Sequence, residues 1–294
     1  MTAITPPARA PAGTTRPARR TQARVVTVLT YAAALVLGAF SVAPLVWMVL
    51  TSIKPRAEIL TRDPVFWPSD PQWGRYVDVL ERGFSGYLTN SLTVAAATTV
   101  LGVTVAALAG YSLARLQVGL KRYLLLVVLA TQMFPMVVLI IPLFAVMRNL
   151  GLLDSLVGLV IAYLSFTTPL AVWILRGFFA SIPDDLEDAA LVDGCTRFGA
   201  IRRIVVPLAG PGIAASSIFV FIAAWNEFLF ALTFVKQDSL RTLPVALQSL
   251  VGRAGADNGA IMATSVLFTL PVVVFFLLVH RRMTSGMVAG AVKG

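Results

Sequence analysis

The fold this sequence predicts is an all-α polytopic membrane protein with six transmembrane helices and a helical loop on its inner face. Three observations carry that expectation. The 294 residues are 57% hydrophobic and 13% charged, whereas a soluble domain carries about 25% charge. The apolar residues gather into runs long enough to cross a bilayer, each crossing taking about 20 residues. Between the fourth and fifth runs lies a polar stretch patterned as two short helices around a glycine. A soluble fold fails because several runs are too long for the buried helices of a domain this size.

Residues 1–24 are rich in Pro, Ala, Thr and Arg and lack apolar periodicity, so they read as a disordered cytoplasmic tail. They do not read as a signal peptide, because the next apolar segment is too long and lacks a small-residue cleavage site. The membrane domain is expected over 25–284, with 285–294 as a cytoplasmic C-terminal tail. Its spans fall near 25–52, 88–114, 123–147, 156–177, 211–235 and 260–280. An even number of spans puts both termini on one side. Of the 24 Lys and Arg residues, fifteen lie on the side of the termini and nine opposite. The positive-inside bias therefore predicts cytoplasmic termini in the plasma or inner membrane. The same bias accounts for the net charge of +10, which is scattered over tails and loops and gives no nucleic-acid footprint.

The first outer loop, 53–87, holds Trp67, Trp73, Tyr76, Phe84 and Tyr87, with Pro64, Pro68 and Pro71 in its first half. Tyr76, Val79, Leu80 and Phe84 have helical spacing. They predict an amphipathic helix at the headgroups, beside a surface open to an external partner. Pro135 and Pro142 interrupt the third span and Pro169 the fourth. Such interruptions favour a moving pathway over a plain anchor. No internal repeat supports an inverted-repeat secondary transporter.

Cys195 is the only cysteine and His280 the only histidine, which excludes an intrachain disulfide and any multi-histidine or paired-cysteine metal site. His280, beside Arg281 and Arg282, reads as interfacial. No G-x-x-x-x-G-K-[ST] phosphate loop is present, and no nucleophile, base and oxyanion set is visible. The sequence therefore predicts no cofactor and no catalytic site.

The polar stretch between spans four and five is the most informative part. Ser181 is expected to cap a helix, with Pro183 in its first turn. Asp184, Asp185, Glu187 and Asp188 complement the positive end of the helix dipole. Ala189, Ala190 and Leu191 favour helix, and Gly194 breaks it. Phe198, Ile201, Ile204 and Val205 then form an apolar stripe. A hairpin touching only lipid explains the stripe, but its acidic half would be repelled by an anionic leaflet. Docking on a protein explains both halves.

Glu187-Asp188-Ala189-Ala190-Leu191-Val192-Asp193-Gly194, followed by Ile204 and Val206-Pro207-Leu208, resembles the EAA signature of ABC importer permeases. Trp225-Asn226-Glu227-Phe228 and Gly290-Ala291-Val292-Lys293-Gly294 are similar to the maltose-type carbohydrate branch, and the length suits its smaller, six-span subunit. Asp188 stands where glutamate is usual and Cys195 where alanine is usual; charge or size is kept in both. The resemblance covers about 25–294. It implies a non-catalytic subunit of a sugar or oligosaccharide importer, in which Glu187, Asp188, Ala189, Ala190, Asp193 and Gly194 form a coupling helix seated on an ATPase. It implies an ATPase contact for Gly290, Ala291, Val292, Lys293 and Gly294. The implied partners are a second homologous permease, two ATP-binding subunits and an extracytoplasmic sugar-binding protein. A permease for another solute, or a stand-alone secondary transporter, is the alternative.

Asn226 and Glu227 lie inside an apolar run, where a carboxylate is costly and faces a bundle interior or a watery cavity. The amide of Asn226 suits either sugar hydroxyls on a pathway or a helix–helix bond. Trp225 is expected to offer a stacking face to a sugar ring, and Glu227 to order the bundle.

Overall fold

The computed structural model describes residues 17–115, 119–251 and 257–290, and every regular element among them is helical. Helix α1 (Pro17–Ser52) starts eight residues inside the segment expected to be a disordered tail. That expectation is corrected for 17–24: proline suits a first helical position and the Ala, Arg and Gln that follow are good helix formers. Residues 1–16 lie outside the described residues.

After α2 (Arg56–Ile59), helix α3 (Gly74–Val79) passes through a π-helical turn at Leu80–Phe84 into α4 (Ser85–Arg115). Val79 and Phe84 are buried and Tyr76 packs on the same core. The amphipathic face expected at the headgroups is thus turned onto the bundle, while Trp67 and Trp73 stay exposed.

The third apolar run is α5 (Lys121–Thr131) and, after a 3-10 turn at Met136–Leu139, α6 (Ile140–Asn149). The two halves are bent by 94° at Pro135, as the proline predicts. Helix α7 (Leu156–Ser181) differs from expectation and is unbroken, with Pro169 inside it. Buried Thr167, Ala171 and Val172 clamp it on both sides of the proline, so neighbours hold the helix where its own hydrogen bonding fails.

The polar stretch forms α8 (Asp185–Val192), α9 (Arg197–Ala200), a π-helical turn at Ile201–Val205 and α10 (Val206–Leu208). The fifth run is α11 (Gly210–Trp225) and α12 (Leu229–Phe234), separated at Asn226–Phe228. A 3-10 turn at Asp238–Leu240, α13 (Leu243–Val251) and α14 (Asn258–Gly290) complete the chain. Among the described residues four helices are long and apolar enough to cross a membrane, or up to six if each bent pair is one span.

The bundle centres on α4, α7, α11 and α14. Small buried residues of α4, Ser91, Ala95, Thr98, Gly102, Ala106 and Gly110, recur at helical spacing on one face. They let α7 approach closely, as small residues do between membrane helices. At Gly110 an added Cβ would lie 3.0 Å from the backbone nitrogen of Arg176. Helix α1 leans chiefly on α14, and most of its apolar length is exposed.

Polar groups lock the loops at the end opposite α8. Asp154, at φ 52°, accepts from the backbone N–H groups of Lys236 (2.5 Å) and Gln237 (3.0 Å). The Gln237 N–H, together with that of Lys236, holds the Asp154 carboxyl below the usual carboxylate range. These bonds tie the end of α6 to the end of α12. Arg75 donates to the carbonyls of Ser52 and Lys54 and pairs with Asp257 at 3.7 Å. It thereby joins α1, α3 and the start of α14.

Candidate functional site: a displayed loop and a cavity at two broken spans

Helix α8 ends in a Schellman motif. Gly194 sits at φ +84°; the Cys195 N–H donates to the Ala190 carbonyl at 2.9 Å and the Gly194 N–H to that of Leu191 at 3.1 Å. These two bonds satisfy carbonyls that the helix end would otherwise orphan. A Cβ on Gly194 would meet no atom within 4 Å, so within this chain the glycine answers to the backbone angle alone. Thr196 then caps α9 by accepting from the Gly199 N–H at 3.1 Å. Buried Ala190 and Ala200 bring α8 and α9 close.

Ser181 does not cap α8, which corrects the expectation. It is the last residue of α7, and its hydroxyl donates to the Phe178 carbonyl at 2.8 Å. The extended backbone of Ile182 turns the chain before α8 can start. Asp184 occupies the cap position, with no side-chain cap bond.

The six residues expected to couple divide into two groups. Asp188, Ala189, Asp193 and Gly194 are exposed, beside Val192 at 87% and Phe198 at 73% exposure. Glu187 and Ala190 turn inward. Glu187 accepts from Tyr111 Oη (2.7 Å) and from Arg115 Nε (2.6 Å), both on α4. Arg115 also pairs with Asp184. Spacing within the loop carries no sign of these partners, which lie more than 70 residues upstream. Of the expected C-terminal contact residues, Gly290 ends α14 and Ala291, Val292, Lys293 and Gly294 lie outside the described residues.

The second feature is a cavity of about 710 Å³ where the breaks in the third and fifth runs meet. Asn226, Gln132 and Ser165 give it polar groups, and Phe134, Phe166 and Phe228 give it aromatic walls. Of the lining residues, Asn226, Glu227 and Phe228 belong to the motif singled out in the sequence, whereas Gln132, Phe134, Ser165 and Phe166 do not. Asn226 ends α11, exposed, its amide donating to the Ile222 carbonyl at 2.9 Å. The buried Glu227 accepts from the N–H groups of Phe230 (2.8 Å) and Ala231 (3.1 Å). It supplies the first turn of α12 with acceptors, and so holds the break open. Trp225 is corrected: at 1% exposure its indole N–H donates to the Phe268 carbonyl of α14, and its ring stacks with Phe221 and Phe268. It offers no face to a solute.

Apolar helices around a polar, aromatic cavity at broken spans, with a helix displayed at one end, are the architecture of a membrane transport protein. The sequence profile described as "Binding-protein-dependent transport system inner membrane component" matches residues 98–288, and the chain belongs to that family. It is 38% identical over 267 residues to the sulfoquinovosyl glycerol transport system permease protein SmoH of Agrobacterium fabrum, covering 90% of this chain and 94% of that one. It is 39% identical over 264 residues to the trehalose transport system permease protein SugB of Mycobacterium tuberculosis, covering 88% and 95%. Among solved structures, a bacterial ABC transporter importing the acidic polysaccharide alginate shares the fold, with a TM-score of 0.72, 22% identity and coverage of 88% and 96%.

Proposed function

We propose that this chain is the permease subunit of an ATP-driven importer of a sugar or oligosaccharide. The observation that carries this reading is the exposed face of α8. Acidic Asp188 and Asp193 and uncovered Val192 lie along and at the end of a helix closed by a glycine in the left-handed region, and Phe198 of the following α9 is uncovered as well. Exposed apolar groups rimmed by charge suit a protein partner. That partner is an ATP-binding subunit, two of which serve a heterodimer of this chain and a homologous permease. Both termini and the 178–210 loop are cytoplasmic, which puts the Asp154 and Arg75 loops outside, toward a sugar-binding protein. Residues 290–294 add a second ATPase contact.

The cavity supports a carbohydrate as the solute. Aromatic walls stack on sugar rings, amides both donate to and accept from hydroxyls, and the volume is that of a small-ligand site. Named relatives that carry trehalose and sulfoquinovosyl glycerol agree with this class. The reading is tested by co-purifying the ATP-binding subunit with the wild-type chain and with Asp188→Arg. Retention by wild type and loss in Asp188→Arg are expected. Equal retention by both would remove the loop from the ATPase interface.

A further inference from the structure

We propose that α4 is the rod that carries force between the displayed loop and the loops at the opposite end of the bundle, and that Arg115 is the positioning residue fastening α8 to it. This rests on α8 being the ATPase-docking helix. Helix α8 is joined to α7 only through the non-helical Ile182-Pro183 link, whose Ile182 lies at φ −83° and ψ 125°. Such a link transmits little bending load. The side chains of α4 replace it. Arg115, the last residue of α4, holds Glu187 through Nε at 2.6 Å and Asp184 through Nη1. Tyr111, one turn earlier, fills the second oxygen of Glu187 at 2.7 Å and packs edge-on against Phe179 of α7, with ring centroids 5.8 Å apart.

This node is shielded. The Arg115 and Glu187 side chains keep 12% and 14% of their exposure, against 76% for Asp184. Removal of one partner of a pair held out of water leaves the other charge stranded, a cost that an exposed surface pair does not carry. The opposite end of α4 is fastened too. Tyr87 donates to Asp238 at 2.7 Å, and Asn90 donates to the carbonyls of Ser239 (2.9 Å) and Arg241 (3.0 Å). Buried Ser91 accepts from the Leu243 N–H at 2.7 Å. Between these ends the small-residue face of α4 lies tight on α7. One continuous helix thus carries polar fasteners at both ends. Residues 90 and 115 stand about 37 Å apart at 1.5 Å per residue.

The test uses the complete complex in proteoliposomes and reads ATP hydrolysis with and without sugar-loaded binding protein. Arg115→Gln should keep the ATP-binding subunit bound but cut stimulated hydrolysis about tenfold, which equals about 1.4 kcal/mol of coupling. The charge swap Arg115→Glu with Glu187→Arg should recover part of that loss. Asn90→Ala should give the same uncoupled pattern from the far end. Independent sites this far apart lose coupling additively; two fasteners of one rod do not, so Arg115→Gln with Asn90→Ala should be no worse than the poorer single variant. If Arg115→Gln lowers the yield of complex, Tyr111→Phe, which keeps the ring on Phe179, takes its place in the same cycle. Additive losses, or full stimulation in Arg115→Gln, overturn the proposal. If Glu187→Gln sheds the ATP-binding subunit while Arg115→Gln keeps it, Glu187 is a docking contact and the rod is also refuted. Failure of the docking reading itself shows separately, as undiminished ATPase retention by Asp188→Arg.

Discussion

Replacing Gly194 by alanine, asparagine and valine separates two reasons for a glycine at the end of α8. Gly194 lies at φ +84°, and nothing in this chain stands within 4 Å of where a Cβ would go. The cost of a substitution is therefore set by backbone angle and not by size. An L-residue in the left-handed region costs about 1–2 kcal/mol, and asparagine, which visits that region routinely, costs less. Valine is an outlier there. It is expected to unwind the Schellman turn as well, losing two hydrogen bonds worth about 1 kcal/mol each. Its total is about 3–4 kcal/mol. At 1.4 kcal/mol per tenfold, alanine should weaken ATPase binding about 5- to 30-fold and valine more than about 100-fold, with asparagine weaker than wild type but better than alanine. The assay is the dissociation constant of the purified ATP-binding subunit for each variant, at matched levels of chain in the membrane. A ranking by side-chain size, with alanine better than asparagine, would refute the reasoning and show that a partner presses against the glycine.

At the fifth-run break, Glu227→Ala orphans the buried N–H groups of Phe230 and Ala231. At about 1–3 kcal/mol for each unsatisfied donor, it should sharply reduce the yield of assembled complex, with Glu227→Gln milder because it keeps one acceptor. Asn226→Ala should lower sugar uptake per assembled complex about tenfold and leave complex yield unchanged, since its amide bonds only within its own helix turn. The opposite pattern would give Asn226 a structural role. In a Cys195→Ala background, a cysteine replacing Asp70 should react with an impermeant reagent from outside, and one replacing Val288 only after permeabilisation. The reverse labelling would invert the topology.

Much of this architecture is legible in the sequence because it follows from local chemistry. Apolar runs mark the membrane segments, Pro135 marks the bend in the third, and acids, alanines and a glycine mark α8 and its end. The break at Asn226–Phe228 is not legible, since it holds neither glycine nor proline. It exists because Glu227 reaches forward to the N–H groups of α12, a contact that appears only once the backbone is built. Trp225 failed as a site residue for a similar reason: its partners Phe221 and Phe268 include one from α14, 43 residues away. Glu187 looked identical to Asp188 in the loop pattern, yet the turn of α8 aims it at Tyr111 and Arg115 and leaves Asp188 in solvent. Pro169 breaks nothing because neighbouring helices, invisible to local sequence, hold α7 straight.

Whether this chain turns ATP hydrolysis into sugar movement through α8 is decided by uptake of labelled disaccharides into proteoliposomes. These should hold the complete complex, with its binding protein present on the outer face. Uptake is expected with ATP on the loop side, none with an ion gradient alone, and a loss of more than about 100-fold with Gly194→Val in the complex. Uptake driven by an ion gradient without ATP, or ATP-driven uptake undiminished by Gly194→Val, would contradict the account.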